Sequence, residues 1–325
     1  MTELNATRKD NSQIVRHLFN TYGMLIILLA LFFGLSATVD GFMSMRTVLS
    51  IMEQVSMFGI ISIGVTFAII TCGIDLSSGA VVALAAVVAA SVVSAADGLV
   101  AAFAGFAAAI AVGALCGVIN GSFTAIGRIP PFIATLGMMT IARGAAQIAS
   151  GGRPIDASEE AFTWIADINV FGIPGLVIIY ILVALGSHIL LSRSKFGRHV
   201  YAIGGNVNAA QISGINVRNT LILVYTFAGA LAGLAGAMLT ARTYAGNPAY
   251  GNMWELDAIA AAVIGGTSLA GGVGSVPMCV IGALIIGTTN KGLNLLGVDP
   301  YWQQIVKGAI IILAVLLDTL KRRKG

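Results

Sequence analysis

Long apolar runs with few charges alternate with short polar segments along this chain. A polar segment over 1–20 precedes the first apolar run, from Tyr22 to Val39, which is too long for the core of a signal peptide. Nine further apolar runs lie near 54–72, 77–95, 99–124, 132–149, 174–192, 219–241, 257–270, 275–294 and 302–320. Since a membrane span needs about 20 apolar residues, the pattern predicts an all-α integral membrane protein. We expect about ten transmembrane helices in one domain over 21–320.

One of these runs is shorter than the others, and two of the junctions between runs have similar sequences. The run at 257–270 is too short to cross a bilayer as a straight helix, so we expect a broken or re-entrant segment. GIDLSSG at 73–79 aligns weakly with GTSLAGG at 266–272, and each string joins two apolar runs. Internal repeats with interrupted hydrophobic segments are typical of transporters, whose pathway lies near the interruptions.

Composition and charge support a membrane-embedded chain. Only 10% of the 325 residues are charged, against about 25% in soluble domains. Forty glycines suit close helix packing in a membrane. Most of the 18 basic residues fall on the inner segments if both termini are cytoplasmic, as the positive-inside rule requires. This orientation places 151–173 and 193–218 on the outer and inner sides, with a basic tail at 321–325. A nucleic-acid partner is not expected, and the surface should contact lipid.

The inner segment at 193–218 contains a short predicted helix. Glycine breaks at Gly204–Gly205 and Gly214 enclose the stretch from Asn206 to Ser213, and Asn206 is a suitable N-cap. Ordering such a short helix in a loop costs conformational entropy. The pattern therefore indicates that this helix docks against a cytoplasmic partner.

A few charges interrupt the apolar runs. Asp75 is the most informative, because an acid between apolar runs of a membrane protein is a functional candidate. It could cap a helix starting at Leu76, contact a solute directly, or serve a structural role in a gate. Arg143 and Lys307 lie near outer span ends, where snorkelling to the interface explains them.

The sequence contains no recognisable catalytic machinery. It has no GxxxxGK[ST] phosphate loop, no HExxH and no GxSxG string. The three cysteines lie singly in apolar runs, which favours neither a disulfide framework nor a zinc site. A membrane-embedded enzyme is therefore disfavoured. An ion-coupled carrier remains an alternative, with Asp75 as its candidate coupling residue.

Four strings carry a family resemblance. They are GIDLSSGA at 73–80, GRIPPFIATLGMMTIARG at 127–144, SKFGRHVYAIGGNVNAAQISGINV at 194–217 and NMWELDAIAAAVIGGTSLAGGVGS at 252–275. Together they resemble the permease subunits of bacterial ABC sugar importers of the ribose type, which are related to the branched-chain amino acid permeases. The resemblance extends from about residue 45 to residue 320.

The resemblance implies the partners and the reaction. Two permease chains, identical or different, form a pathway for a monosaccharide or polyol across the bacterial inner membrane. A cytoplasmic ATPase holds ATP and Mg²⁺, a periplasmic binding protein delivers the sugar, and this chain holds no cofactor. The residues that it implies for contact with the ATPase are Phe196, Gly197, Gly204, Gly205, Asn206, Ala209, Ala210, Ser213 and Gly214. Those that it implies for docking of the binding protein are Arg153, Asp156, Glu159, Glu160 and Asp167.

A neutral sugar needs hydrogen-bond partners but no counter-charge. Its pathway should therefore be lined by hydroxyls, amides and small residues at the span breaks. The candidate pathway or gate residues are Asp75, Ser77, Ser78, Asn120, Thr135, Thr267, Ser268 and Asn290. Pentoses, hexoses and polyols are all compatible with this lining.

Overall fold

The computed structural model describes residues 23–323, and most of their backbone is helical. The helices are α1 Gly23–Thr38, α2 Met45–Ile70, α3 Ser78–Val93, α4 Gly98–Ala125, α5 Pro131–Ser150, α6 Glu160–Asp167, α7 Gly175–Arg193, α8 Lys195–Gly205, α9 Val207–Ile212, α10 Val217–Thr243, α11 Trp254–Ile264, α12 Val276–Leu295 and α13 Pro300–Arg323. The two-residue strands β1 Ile155–Asp156, β2 Asn169–Val170, β3 Ile173–Pro174 and β4 Ala245–Gly246 form two antiparallel pairs, β1–β4 and β2–β3. The predicted segment at 1–20 and the last two residues of the predicted tail lie outside the described residues.

Six helices are long and apolar enough to cross a membrane, namely α2, α4, α5, α7, α10 and α12. Within the described residues, α1 and α3 are shorter apolar helices. The run predicted at 257–270 is the 11-residue helix α11 followed by a non-helical segment. A helix of that length rises only about 16 Å, so α11 cannot cross a bilayer alone.

Helix α2 begins nine residues before the predicted span, at Met45 rather than near 54. Ser44 caps it, because the Ser44 hydroxyl accepts a hydrogen bond from the Thr47 amide at 3.3 Å. Glu53 lies within the helix and pairs with Arg242 of α10 at 2.8 Å. The predicted span began just after this residue, whereas the helix includes Glu53, whose charge is paired.

Helices α4 and α10 approach each other through glycines. A Cβ atom added to Gly113 would collide with the Gly229 carbonyl oxygen, and one added to Gly117 would collide with that of Tyr225. Small residues at this spacing allow membrane helices to pack backbone against backbone. The contact fixes α4 against α10, and both helices also pack on α3.

We predict that Gly113→Val destabilises the protein, because the new side chain must push α10 away. Overpacking of this kind costs about 3 kcal/mol. The control is Gly137→Val on α5, where an added Cβ meets no atom within 4 Å. Thermal melting in detergent should show a lower Tm for the Gly113 variant only. Equal melting temperatures for the two variants would contradict the close packing.

Candidate functional site

Two non-helical breaks interrupt the helical bundle at the positions of the repeated strings. The first break, residues 71–77, separates α2 from α3 and includes Cys72 in the left-handed region, at φ +63°. The second break, residues 265–275, separates α11 from α12 and includes Gly266, Gly271 and Gly272 with φ between +73° and +84°. Left-handed glycines allow the chain to turn sharply there.

The second break contacts both the end of α2 and the first break. The Gly272 amide donates a hydrogen bond to the Ile70 carbonyl at 2.9 Å. The Cys72 thiol lies 3.1 Å from the Ala270 carbonyl oxygen in donor geometry. A Cβ atom on Gly274 would press against the Ile70 side chain. The structure therefore brings the repeated strings together, although they lie far apart in the sequence.

Helix α8 packs on both breaks at once. The Tyr201 hydroxyl donates to the Gly274 carbonyl at 2.7 Å. Burial raises the pKa of the Tyr201 phenol, which favours the protonated form that donates this bond. A Cβ atom on Gly204 would collide with both the Ile70 carbonyl oxygen and the Gly272 nitrogen. We call this contact between α8 and the two breaks the break junction, comprising Ile70, Cys72, Tyr201, Gly204, Gly272 and Gly274.

Buried polar groups surround the first break. Asp75 is 3% exposed, and its Oδ1 accepts hydrogen bonds from the Ser77 amide at 2.8 Å and the Ser77 hydroxyl at 2.6 Å. Asn120 of α4 donates to the Ser77 hydroxyl at 2.9 Å, and Thr135 of α5 donates to the Ile74 carbonyl at 3.0 Å. Five of the eight predicted pathway residues, those on α3, α4, α5 and the first break, thus lie together.

The helix-capping role considered for Asp75 does not occur as predicted. Helix α3 begins at Ser78 rather than Leu76, and its N-cap residue is Ser77. Asp75 instead accepts from the amide two residues ahead, which shapes the turn before the helix. The Ser78 hydroxyl and the Asn120 side-chain oxygen are buried with no hydrogen-bond partner among the described residues. Such groups carry a free-energy cost unless another state of the protein pairs them.

The other three predicted pathway residues lie elsewhere. Thr267 and Ser268 are buried in the second break, and the Ser268 amide bonds to the Val273 carbonyl at 3.0 Å. Asn290 is buried on α12, about 21 Å along the helix from its start at Val276. Asn290 therefore does not join the polar groups at the breaks.

The short helix predicted between the glycine breaks is present as α9. The Asn206 side chain caps it by accepting from the Asn208 and Ala209 amides, both at 3.0 Å. Of the two alanines predicted to face a partner, Ala209 is exposed, whereas Ala210 is buried against Ile203 and Val217. Ala210 therefore holds α9 to the bundle.

Sequence analysis did not select the two most apolar exposed positions of α9. Ile212 is 88% exposed and Val207 is 43% exposed. Both are exposed, whereas Ala210 of the same helix is buried. The signal available in the sequence was the presence of large apolar residues in a short helix predicted to dock against a partner.

Most of the other residues predicted to contact the ATPase pack within the protein or turn the chain. Phe196 stacks on Phe67 of α2 with ring centroids 6.2 Å apart. Gly197 packs against the Leu191 carbonyl oxygen at the corner between α7 and α8. Ser213 ends α9, Gly214 turns the chain at φ +82°, and Gly205 faces open space. Within this set, the Gly204 backbone contacts Ile70 and Gly272, and the Gly205 backbone also lies beside Gly272.

The predicted docking residues surround β1 and α6. Glu159 accepts from the Gly98 amide at 2.9 Å, and Asp167 accepts from the Tyr244 hydroxyl at 2.8 Å. These two acids therefore fix local structure. Arg153, Asp156 and Glu160 are exposed, and Asp156 also accepts from the Ser158 hydroxyl at 2.6 Å.

Comparisons with known proteins identify relatives over nearly the whole chain. Residues 47–315 match the family described as the branched-chain amino acid transport system permease component. The chain is 43% identical to the ribose import permease protein RbsC of Escherichia coli, over 92% of this chain and 93% of that protein. It is 41% identical to the D-allose transport system permease protein AlsC of Escherichia coli, over 93% and 91%. It is 38% identical to the galactose/methyl galactoside import permease protein MglC of Escherichia coli, over 92% and 93%. No solved structure matches the chain.

We predict that Gly204→Ala loosens α8 from the break junction. The methyl group cannot fit between the Ile70 carbonyl and the Gly272 amide. Tryptic cleavage at Lys195 and Arg198 should accelerate about tenfold, since cleavage follows the population of the locally open state. Gly205→Ala is the control, because an added Cβ there meets no atom within 4 Å. Cleavage at the wild-type rate in both variants would argue against the junction.

Proposed function

Because this chain belongs to the family of branched-chain amino acid transport permease components, we propose that it forms the sugar pathway of an ATP-driven importer. As a permease subunit of the inner membrane it is not itself an enzyme, and ATP hydrolysis belongs to a separate subunit. Relatives named for ribose, allose and galactose import support a monosaccharide or related polyol as the solute. The observation that carries this proposal is the break junction, which joins the predicted ATPase-contacting loop to the predicted pathway.

The chemistry at the first break suits a neutral, hydroxylated solute. Ser77, Ser78, Asn120 and Thr135 supply hydroxyl and amide groups, as a sugar requires. The carboxylate within the break, Asp75, already accepts two hydrogen bonds from Ser77. We infer that these groups, with Thr267 and Ser268 in the second break, line or gate the pathway.

Coupling to ATP runs from α9 through α8 to the breaks in this proposal. The exposed side chains of Val207 and Ile212 supply an apolar docking surface for the ATPase, which holds ATP and Mg²⁺. Helix α8 directly precedes α9 in the chain. Its Gly204 packs against Ile70 and Gly272, and its Tyr201 bonds to Gly274. A displacement imposed on α9 would therefore act on both breaks through main-chain contacts.

The proposed topology has ten spans and two cytoplasmic termini. Segments predicted on the inner side, the first break, residues 271–274 and α8, contact one another. Segments predicted on the outer side also contact one another, since Ser94 bonds to the Asp156 carbonyl and Glu159 bonds to Gly98. We propose that the outer loop at 151–173 receives the binding protein and that a second permease chain, identical or different, completes the pathway.

We predict that sugar uptake depends on ATP and not on an ion gradient. Proteoliposomes containing the chain with its ATPase and binding protein are tested with radiolabelled D-ribose, D-allose and D-galactose. Uptake of at least one sugar should require enclosed ATP and should persist after a protonophore is added. Uptake driven by a proton or sodium gradient without ATP would favour the ion-coupled carrier instead.

We predict that Ile212→Asp releases the ATPase while the permease stays folded. A carboxylate at this exposed apolar position opposes burial in a docking interface. Pull-down of the tagged permease should recover about tenfold less ATPase, a loss of about 1.4 kcal/mol in binding. The control is Ile126→Asp at the end of α4, which makes the same change at a residue 49% exposed outside α9. Undiminished ATPase recovery with Ile212→Asp would exclude α9 as the docking helix.

A further inference from the structure

The segment between α10 and α11 links the outer loop to the first break. We call this segment, residues 244–253, the strap. Its beginning, Ala245–Gly246, pairs as β4 with Ile155–Asp156 of the outer loop. Its end packs against the start of α3, where Gly251 and Gly79 approach so closely that neither position has room for a Cβ atom. The strap therefore contacts both the predicted landing site and the helix next to the buried polar groups.

Arg143 of α5 binds the middle of the strap. Its Nη1 donates to the Pro248 carbonyl and to the Tyr250 carbonyl, each at 2.7 Å. Hydrogen bonds from a guanidinium are stronger than neutral ones, particularly away from bulk water. Snorkelling to the interface, the interpretation from sequence, therefore does not describe this side chain.

The acid nearest to this contact also faces α3. The Glu255 carboxylate, two residues beyond the strap, packs against Gly79 and interacts electrostatically with Arg143. Arg143 thus has hydrogen-bond partners on the strap, with the Glu255 carboxylate as a more distant countercharge. These bonds from Arg143, together with the contact between Gly251 and Gly79, hold the strap against α5 and α3.

Two residues of the strap have backbone conformations that cost free energy. Tyr244 and Met253 adopt left-handed conformations at φ +59° and +63°, which cost free energy for residues with side chains. These two residues are the first and last of the strap. Strained backbone positions of this kind cluster at ligand clamps and switch segments.

We propose that the strap is an outer gate at the start of α3, beside the buried polar groups, and that Arg143 is the positioning residue that latches it closed. A binding protein that docks on the outer loop would displace the strap through the β1–β4 pairing and break the Arg143 bonds. The inference rests on the proposed function, because it assigns the regulation of the same pathway. It adds a route by which docking outside reaches the break junction and hence the ATPase.

The test compares ATPase rates with and without the binding protein. The permease–ATPase complex is assembled in lipid nanodiscs, and the rate is measured alone and with ribose-loaded binding protein. Arg143→Gln should raise the rate without binding protein about tenfold, the population shift expected when a charge-assisted hydrogen bond is lost. The ratio of stimulated to basal rate should fall by the same factor. Arg143→Lys keeps the charge and should give an intermediate rise.

The control removes another outer cation that does not touch the strap. Lys291 of α12 donates to Ser50 at 3.0 Å, and Lys291→Gln should leave both rates unchanged. A purely structural role for Arg143 would lower both rates together rather than raise the basal one.

Every other outcome has a defined meaning. An unchanged basal rate in Arg143→Gln overturns the latch, as does a fall in both rates. If the Arg143→Gln complex does not assemble, the Arg143→Lys complex is used as the test instead. A wild-type basal rate in the Arg143→Lys complex would also overturn the latch. Absence of stimulation in the wild-type complex would instead count against the proposed function.

Discussion

The close contact of three main-chain segments at Gly204 is the constraint on which the functional arrangement depends. The hydrogen bond from the Gly272 amide to the Ile70 carbonyl forms directly beside Gly204, where no side chain fits. Packed interiors respond to such crowding by shifting whole elements rather than by local compression. Helix α8 and the two breaks are therefore expected to change position together, which allows a cytoplasmic event to reach both halves of the chain.

Two ion pairs join helices of the bundle at positions away from these breaks. Lys307 of α13 pairs with Asp257 of α11 at 2.9 Å, and Arg242 of α10 pairs with Glu53 of α2 at 2.8 Å. Buried or partly buried charges of this kind need partners, because a lone charge in an apolar environment is costly. The pairs join helices that are distant in sequence. The bundle thus combines ion-paired helices with two non-helical breaks.

Local signals in the sequence predicted much of this arrangement. The Asn206 cap, the glycine breaks and the apolar run lengths depend on neighbouring residues, and the structure has α9, both breaks and six span-length helices where those signals lie. Long-range contacts were not predictable. The inward face of Ala210 is set by Val217 and Ile203, and the target of Arg143 lies more than a hundred residues away at Pro248 and Tyr250. Asn290 was grouped with the breaks by residue type, but its helix places it elsewhere.

Hydrogen exchange of the assembled importer tests the central claim most directly. Peptides covering 66–76, 195–206 and 266–275 are compared with and without ATP, in complex with the ATPase. The account predicts that exchange protection changes in all three peptides together, because their main chains meet at Gly204. A change confined to 195–206, with both breaks unaltered, would contradict the coupling of α8 to the pathway.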